Sequence, residues 1–241
     1  MNNTIQTIPL LNLSLAFIPV LLALIILYKW SLEPVYALYG IARMLLQLLL
    51  VGYILTSIFE SDSSMIVIAV LAIMIFFSSW IALNTLAIKR KLLYRYALIS
   101  IIVGGGLPLI IITQAVLELD PWYSAQFMIP LAGMIFANAM NSVSLSVERL
   151  NAEIGNGVSY LKARNTALHA SLIPVINSLF AVGLVSLPGM MTGQILSGAS
   201  PLIAVRYQIM VMCMIFGSSV LSAAIFLLLI KPFFLSKAEQ T

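Results

Sequence analysis

The chain has 241 residues, is 62% hydrophobic and only 8% charged, and has a mean hydropathy of +1.10. Soluble domains carry about 25% charged residues, so a soluble globule is excluded and a single transmembrane domain over 1–241 is expected. The formal net charge of +4 reports topology rather than nucleic-acid binding, and the lone Cys213, in an apolar run, excludes a disulfide framework or a cysteine metal cluster.

At roughly 20 apolar residues per span the length allows about seven helices with short loops. Met1 to Thr7 lack the basic region of a signal peptide, so the first apolar segment is expected to stay as a helix. It covers about Ile8 to Tyr28, with kinks expected at Pro9 and Pro19, and ends at Lys29 and the interfacial aromatic Trp30. The second span covers about Val35 to Phe59 and the third about Met65 to Ile88, with Glu60 and Asp62 between them. A basic cluster of Lys89, Arg90, Lys91 and Arg95 follows. The fourth span, about Ala97 to Leu117, is expected to break at Gly104-Gly105-Gly106-Leu107-Pro108, as a hinge or a packing notch. A fifth span runs from about Phe127 to Val147, then a polar loop from Glu148 to Ser171. The sixth is about Leu172 to Leu187 and the seventh about Leu202 to Ile230, ahead of a short tail. The expected fold is therefore an all-α, multi-pass helical bundle in the cell (inner) membrane.

Charge sets the expected orientation. Lys29, Lys89, Arg90, Lys91, Arg95, Arg149, Lys162, Arg164, Lys231 and Lys237 fall in loops one, three and five and the tail, whereas loops two and four hold Glu60, Asp62, Glu118 and Asp120. By the positive-inside rule the N-terminus is outside and the C-terminus inside.

Between the last two spans, Val185 to Tyr207 holds two prolines, three glycines and several hydroxyl or amide side chains. Irregular backbone leaves N–H and C=O groups unpaired, which lipid does not tolerate, so such a stretch either is buried in protein or lines a wet cavity, as the broken helices of transporters do, or lies as a loop on the outer surface. Pro188 and Gly189 would free carbonyls there, beside the donors of Met190, Met191, Thr192 and Gln194. Thioethers suit soft cations such as Cu(I) and bind hard cations poorly. For Met210, Met212 and Met214, which surround Cys213, packing is the simpler reading, because helical residues two apart point in different directions.

Other polar residues sit inside spans. Arg43 and Gln47, at i and i+4, share a face of the second span, and a buried arginine is costly unless paired or reaching the headgroups, so Arg43 is either functional or snorkelling. In the fifth span Gly133 and Ala137 give a small-xxx-small pattern that lets helices approach closely. Asn138 and Asn141, at i and i+3, either link helices or line a polar path. His169 has no partner at ligand spacing and reads as structural, and no metal site is assigned. In the polar loop, Tyr160, Leu161, Ala163, Leu168 and Leu172 give a short amphipathic pattern that offers an apolar face to a cytoplasmic partner.

The run from Gly40 through Arg43 and Gln47 to Tyr53, the run from Ile129 through Asn138 to Met140, and the run from Val182 to Leu196 with its Leu-Pro-Gly-Met-Met core together resemble one family. They are similar to the permease subunits of the FetA and FetB type of bacterial iron-export ABC transporter, which are related to plant aluminium-tolerance membrane proteins. The resemblance implies a permease, expected as a homodimer, that pairs with a separate cytoplasmic ATP-binding subunit in iron efflux. The chain departs from the pattern between Glu148 and Leu172, which is shorter than usual in the family. The acidic-alanine-glycine element that docks on the ATPase is reduced there to Ala152-Glu153-Ile154-Gly155.

No GxxxxGK[ST] phosphate loop occurs, so the chain is expected to bind no cofactor, and any ATP is used by the partner. The spans contain no Asp or Glu, which counts against a membrane-integral enzyme. A passive channel or membrane scaffold is the remaining alternative to a transporter subunit. Iron as a bare ion finds no carboxylates within a span, so the cargo rests on the resemblance.

Overall fold

A computed structural model describes residues 8–59, 63–85 and 90–238, the side chains of 235–238 excepted. The expectations for Met1 to Thr7, Glu60, Asp62, Leu86 to Lys89 and the Lys237 side chain lie outside the described residues. The chain divides into two compact units, residues 1–61 and 62–241. Every element is helical, with no strand among the described residues.

In the first unit, α1 (Leu10–Leu15) and α2 (Ile18–Lys29) together make the first apolar segment. Pro9 caps α1 and Pro19 lies in the first turn of α2. A missing N–H costs nothing at either place, so the irregular step falls between the prolines, at Ala16 and Phe17. The helix α3 (Pro34–Phe59) packs back on α2, with Phe17, Leu21 and Leu24 facing Leu38, Ile41 and Leu45. Tyr28, Tyr36 and Tyr39 gather at their turn, as aromatics do at a membrane interface.

The second unit holds α4 (Ser64–Ala82), α5 (Arg90–Ile110), α6 (Ala125–Gly155), α7 (Tyr160–Ala181), α8 (Gly189–Leu196), α9 (Pro201–Leu229) and α10 (Lys231–Ala238). Its centre is α9, against which α5, α6 and α7 pack, while α4 lies on α5 and α6. The expected break at the glycine triplet is absent, because α5 runs through it. Gly104 and Gly105 are a packing notch: a Cβ at Gly104 would meet the Ser222 backbone of α9, and one at Gly105 would stand 3.0 Å from the Phe136 ring of α6. The distortion comes after Pro108, which has no N–H for the preceding turn, as a π-helical turn over Ile111–Val116. By contrast, a Cβ at Gly133 would make only ordinary contact with Met74, 3.5 Å away, and Ala137 is exposed. The close helix approach is thus at α5 rather than at the Gly133 pattern.

The start of α5 lies seven residues ahead of the expected span. Arg90 explains it: the guanidinium donates to the Trp80 carbonyl at 2.9 and 2.6 Å and lies 4.0 Å over the Trp80 ring, so it caps α4. Tyr94 stacks edge-on against Trp80 and Phe76 beside it.

The expected polar loop from Glu148 to Ser171 is instead a helical hairpin. Its first arm is the end of α6, and its second is the start of α7. Only residues 156–159 connect them, with Gly157 at φ 79°. Leu150, Tyr160, Ala163, Ala167 and Ser171 are buried, so packing along this seam holds a polar sequence helical. With 31 residues α6 is about 46 Å long, well beyond a hydrocarbon core of about 30 Å.

The expected sixth span, Leu172 to Leu187, is also corrected. α7 ends at Ala181, whose carbonyl accepts from the N–H groups of Leu184, Val185 and Ser186 as the chain folds back through Gly183 at φ 84°. Among the described residues, six helical stretches are long and apolar enough to cross a membrane: 10–29, 34–59, 64–82, 90–116, 125–155 and 201–229. α7 has the length, but Lys162, Arg164, Asn165 and His169 occupy its first three turns.

Candidate functional site

Arg43 and Gln47 lie in the first unit. α3 runs unbroken through both, so they stand one turn apart on one face, Arg43 half-buried and Gln47 exposed. The other candidates belong to the second unit and fall into three places.

The first place is a cleft of about 80 Å³ between α6 and α7, lined by Asn138 and Asn141 together with Ser142, Ser171 and Ser178. The amide of Asn138 donates to the Met134 carbonyl at 2.8 Å, and the hydroxyls of Ser171 and Ser178 donate to Leu168 and Pro174 of their own helix. These three donors are spent within their own helices and their oxygens keep acceptor lone pairs, while Asn141 and Ser142 add further polar groups to the lining. The serines were not singled out in the sequence. Ser171, Pro174 and Ser178, at i, i+3 and i+7 on α7, carry the signal that points to them.

The second place is the short helix α8. Pro188 does not terminate the preceding helix, which has stopped seven residues earlier. It is the N-cap of α8, with extended backbone at φ −62° and ψ 147°. Nor is its carbonyl free, because it accepts the Thr192 N–H at 3.0 Å and the Thr192 hydroxyl at 3.1 Å. A Cβ on Gly189 would meet open space. The two methionines part. Met190 fills a small space with Phe127, Pro130, Tyr207 and Met210, whereas Met191 lines an apolar cleft of about 360 Å³ against α9. The Gln194 side-chain oxygen is buried without a hydrogen-bond partner. In the same cleft as Met191 lie Gln208, Met212 and Cys213. Gln208 and Cys213 were not expected there, though Gln208 and Met212 are one turn apart in the sequence. Met210 and Met214 are buried, as packing residues.

The third place is the α6–α7 hairpin. Glu153 pairs with Arg149 at 2.5 Å, and Gly155 is the last residue of α6. Leu161 is 59% exposed and Leu168 half-buried. The buried seam runs through Tyr160, Ala163 and Ala167, so the amphipathic pattern read from the sequence divides between the seam and an outer face carrying Leu161. The Tyr160 hydroxyl donates to the Leu227 carbonyl of α9, and burial pushes its pKa up to about 12 against the opposing charge of Arg164.

Apolar helices long enough to cross a bilayer, a small polar cleft between two of the helices, and a helical hairpin that overruns the apolar length define a multi-pass helical membrane protein. The chain belongs to the Uncharacterised protein family UPF0014, whose model matches residues 10–164 and 156–234. It is 38% identical over 195 residues, 75% of each chain, to a UPF0014 membrane protein of Synechocystis. The Probable iron export permease protein FetB of Escherichia coli is 32% identical over 231 residues, 89% of this chain and 87% of that one. The Protein ALUMINUM SENSITIVE 3 of Arabidopsis thaliana is 32% identical over 241 aligned residues, 93% and 87% of the two chains. No solved structure matches.

Proposed function

We propose that this chain is the permease subunit of an ATP-driven transporter that exports iron or a related metal species across the cytoplasmic membrane. Two copies would assemble with two cytoplasmic ATP-binding subunits, with the N-terminus of each permease outside and its C-terminus inside. The observation that carries the reading is the likeness, over 89% of the chain, to a protein named as a probable iron export permease. The α6–α7 hairpin supports it. Its polar tip, exposed Leu161 and Arg149–Glu153 pair suit the groove of a soluble partner, in the way an amphipathic helix docks. Closure of the ATPases would pull on this hairpin, and α6 and α7 would transmit the movement to the Asn138 cleft between them.

The test is transport in membrane vesicles holding this chain and the presumed ATPase, with a panel of metals and chelates. Uptake into inverted vesicles that needs hydrolysable ATP is expected. Transport at the same rate without nucleotide would favour a passive channel and overturn the reading.

A further inference from the structure

We propose that the cleft between the end of α7, α8 and α9 is a binding site for a soft monovalent cation, Cu(I) or Ag(I), held by Met191, Met212 and Cys213. α8 supplies the Met191 thioether from one side. On the other side, Gln208 and Met212 stand one turn apart on α9 with Cys213 next to Met212, and all three line the same cleft. Three sulfur-bearing side chains therefore line one space, Cys213 on its exposed side, and Met190 lines another.

A second observation concerns the one polar side chain in the lining. Gln208 is only 6% exposed, and its side-chain oxygen has no hydrogen-bond partner. A buried acceptor left unpaired among apolar groups is unfavourable; the oxygen is closed off from the open space as it stands, and a rotation of the Gln208 side chain would bring it to an electron-poor occupant. The rest of the lining is aliphatic, including Leu179, Val205 and Ile209.

The donor set selects the ion. Two thioethers and a thiol are soft and favour Cu(I) or Ag(I) over Fe(II), Mg(II) or Ca(II). No cluster of three His, Cys, Asp or Glu is present among the described residues to hold a hard cation. Charge argues the same way. Binding replaces the Cys213 thiol proton, which leaves to solvent as the sulfur–metal bond forms, so a thiolate and a monovalent cation sum to zero. A divalent ion would leave a net charge in apolar surroundings, which is costly. Nothing is oxidised or reduced. The cleft exceeds the volume of a bare ion, and methionine, with its rotatable side chain, is the residue suited to close around one.

As a cargo site this rests on the metal-permease reading above, but the binding itself is measurable without transport. The purified chain in detergent micelles would be titrated under anaerobic conditions with Cu(I) held by the coloured chelator bathocuproine disulfonate. Withdrawal of one Cu(I) per chain is expected. Cys213→Ala should abolish it, and Met191→Leu and Met212→Leu should each weaken it by about tenfold or more. Leucine matches methionine in volume, so the variants should keep the gel-filtration profile of the parent. Fe(II) offered from ferrozine should stay with the chelator. Failure to withdraw Cu(I), unchanged affinity in both leucine variants, or equal retention of Fe(II) would each overturn the site. A negative transport assay with positive Cu(I) binding would instead count against the permease reading alone.

Discussion

Gly104 of α5 faces Ser222 of α9 so closely that a Cβ on the glycine would stand 2.4 Å from the Ser222 hydroxyl and 2.5 Å from its backbone nitrogen. Two helix backbones are in contact there, with nothing between them. Gly104→Ala is expected to destabilise the protein by about 1–3 kcal/mol, the usual range for overpacking. Ser222→Ala should not rescue it, since the clash is also with backbone. Gly106→Ala, which points into open space, should be neutral. Thermal unfolding of the three variants in one detergent checks this, and equal midpoints for Gly104→Ala and the parent would refute it.

Alkaline pH should weaken the hairpin through Tyr160. Its folded pKa is raised from 10.0 to about 12, so the folded state prefers the neutral phenol. The stabilisation is complete below pH 10, begins to fall once the unfolded chain ionises, and is gone as pH rises through about 12. Tyr160→Phe should lower stability at pH 8 by about 1 kcal/mol, the size of a typical hydrogen bond, because the Leu227 carbonyl loses its donor. The variant should also lack this part of the alkaline loss. Parallel unfolding curves for the two proteins from pH 8 to pH 12 would show that the hydroxyl has no such role.

The turn that ends α7 depends on Gly183 rather than on Pro188. At φ 84° an alanine is strained by about 1–2 kcal/mol, so Gly183→Ala should destabilise the loop between α7 and α8. Pro188→Ala keeps the carbonyl that Thr192 uses, and should leave helix content and transport near the parental level. Export lost in Pro188→Ala, at matched membrane expression, would mean that the proline acts beyond capping α8.

For coupling, Leu161 is the sharper probe of the two hairpin leucines, because it is exposed while Leu168 is half-buried. Leu161→Asp is expected to abolish copurification with the ATPase and ATP-dependent transport while the unfolding midpoint stays within a few degrees of the parent. A variant that still copurifies and transports normally would place the docking surface elsewhere.

Much of this architecture is legible in the sequence. α3 and α9 start one residue ahead of the spans read from hydropathy and end within one residue of them, because an apolar run in lipid has no choice but to satisfy its backbone internally. Where polarity enters, hydropathy stops reporting secondary structure. Glu148 to Gly155 and Tyr160 to Ser171 read as a loop, yet both are helical, since the seam of Leu150, Tyr160, Ala163 and Ala167 holds them through contacts that a local pattern does not contain. The stop at Ala181 was legible after all. A glycine following an apolar run is a C-terminal signal, and Gly183 carried it under the louder signal of Pro188.

The site divides in the same way. That Met191, Gln194, Asn138 and Asn141 are polar or soft groups in apolar surroundings is a property of composition, visible residue by residue. Which of them share a space is decided by how α8 and α7 lie on their neighbours. That packing sends Met190 and Met191 into different clefts, brings Gln208 and Cys213 beside Met191, and sets the serines of α7 against the asparagines of α6. The sequence alone determined an all-helical membrane protein, because lipid constrains each apolar segment independently. Only the tertiary structure decided the clefts, because a cleft is a relation between helices that are far apart in the chain.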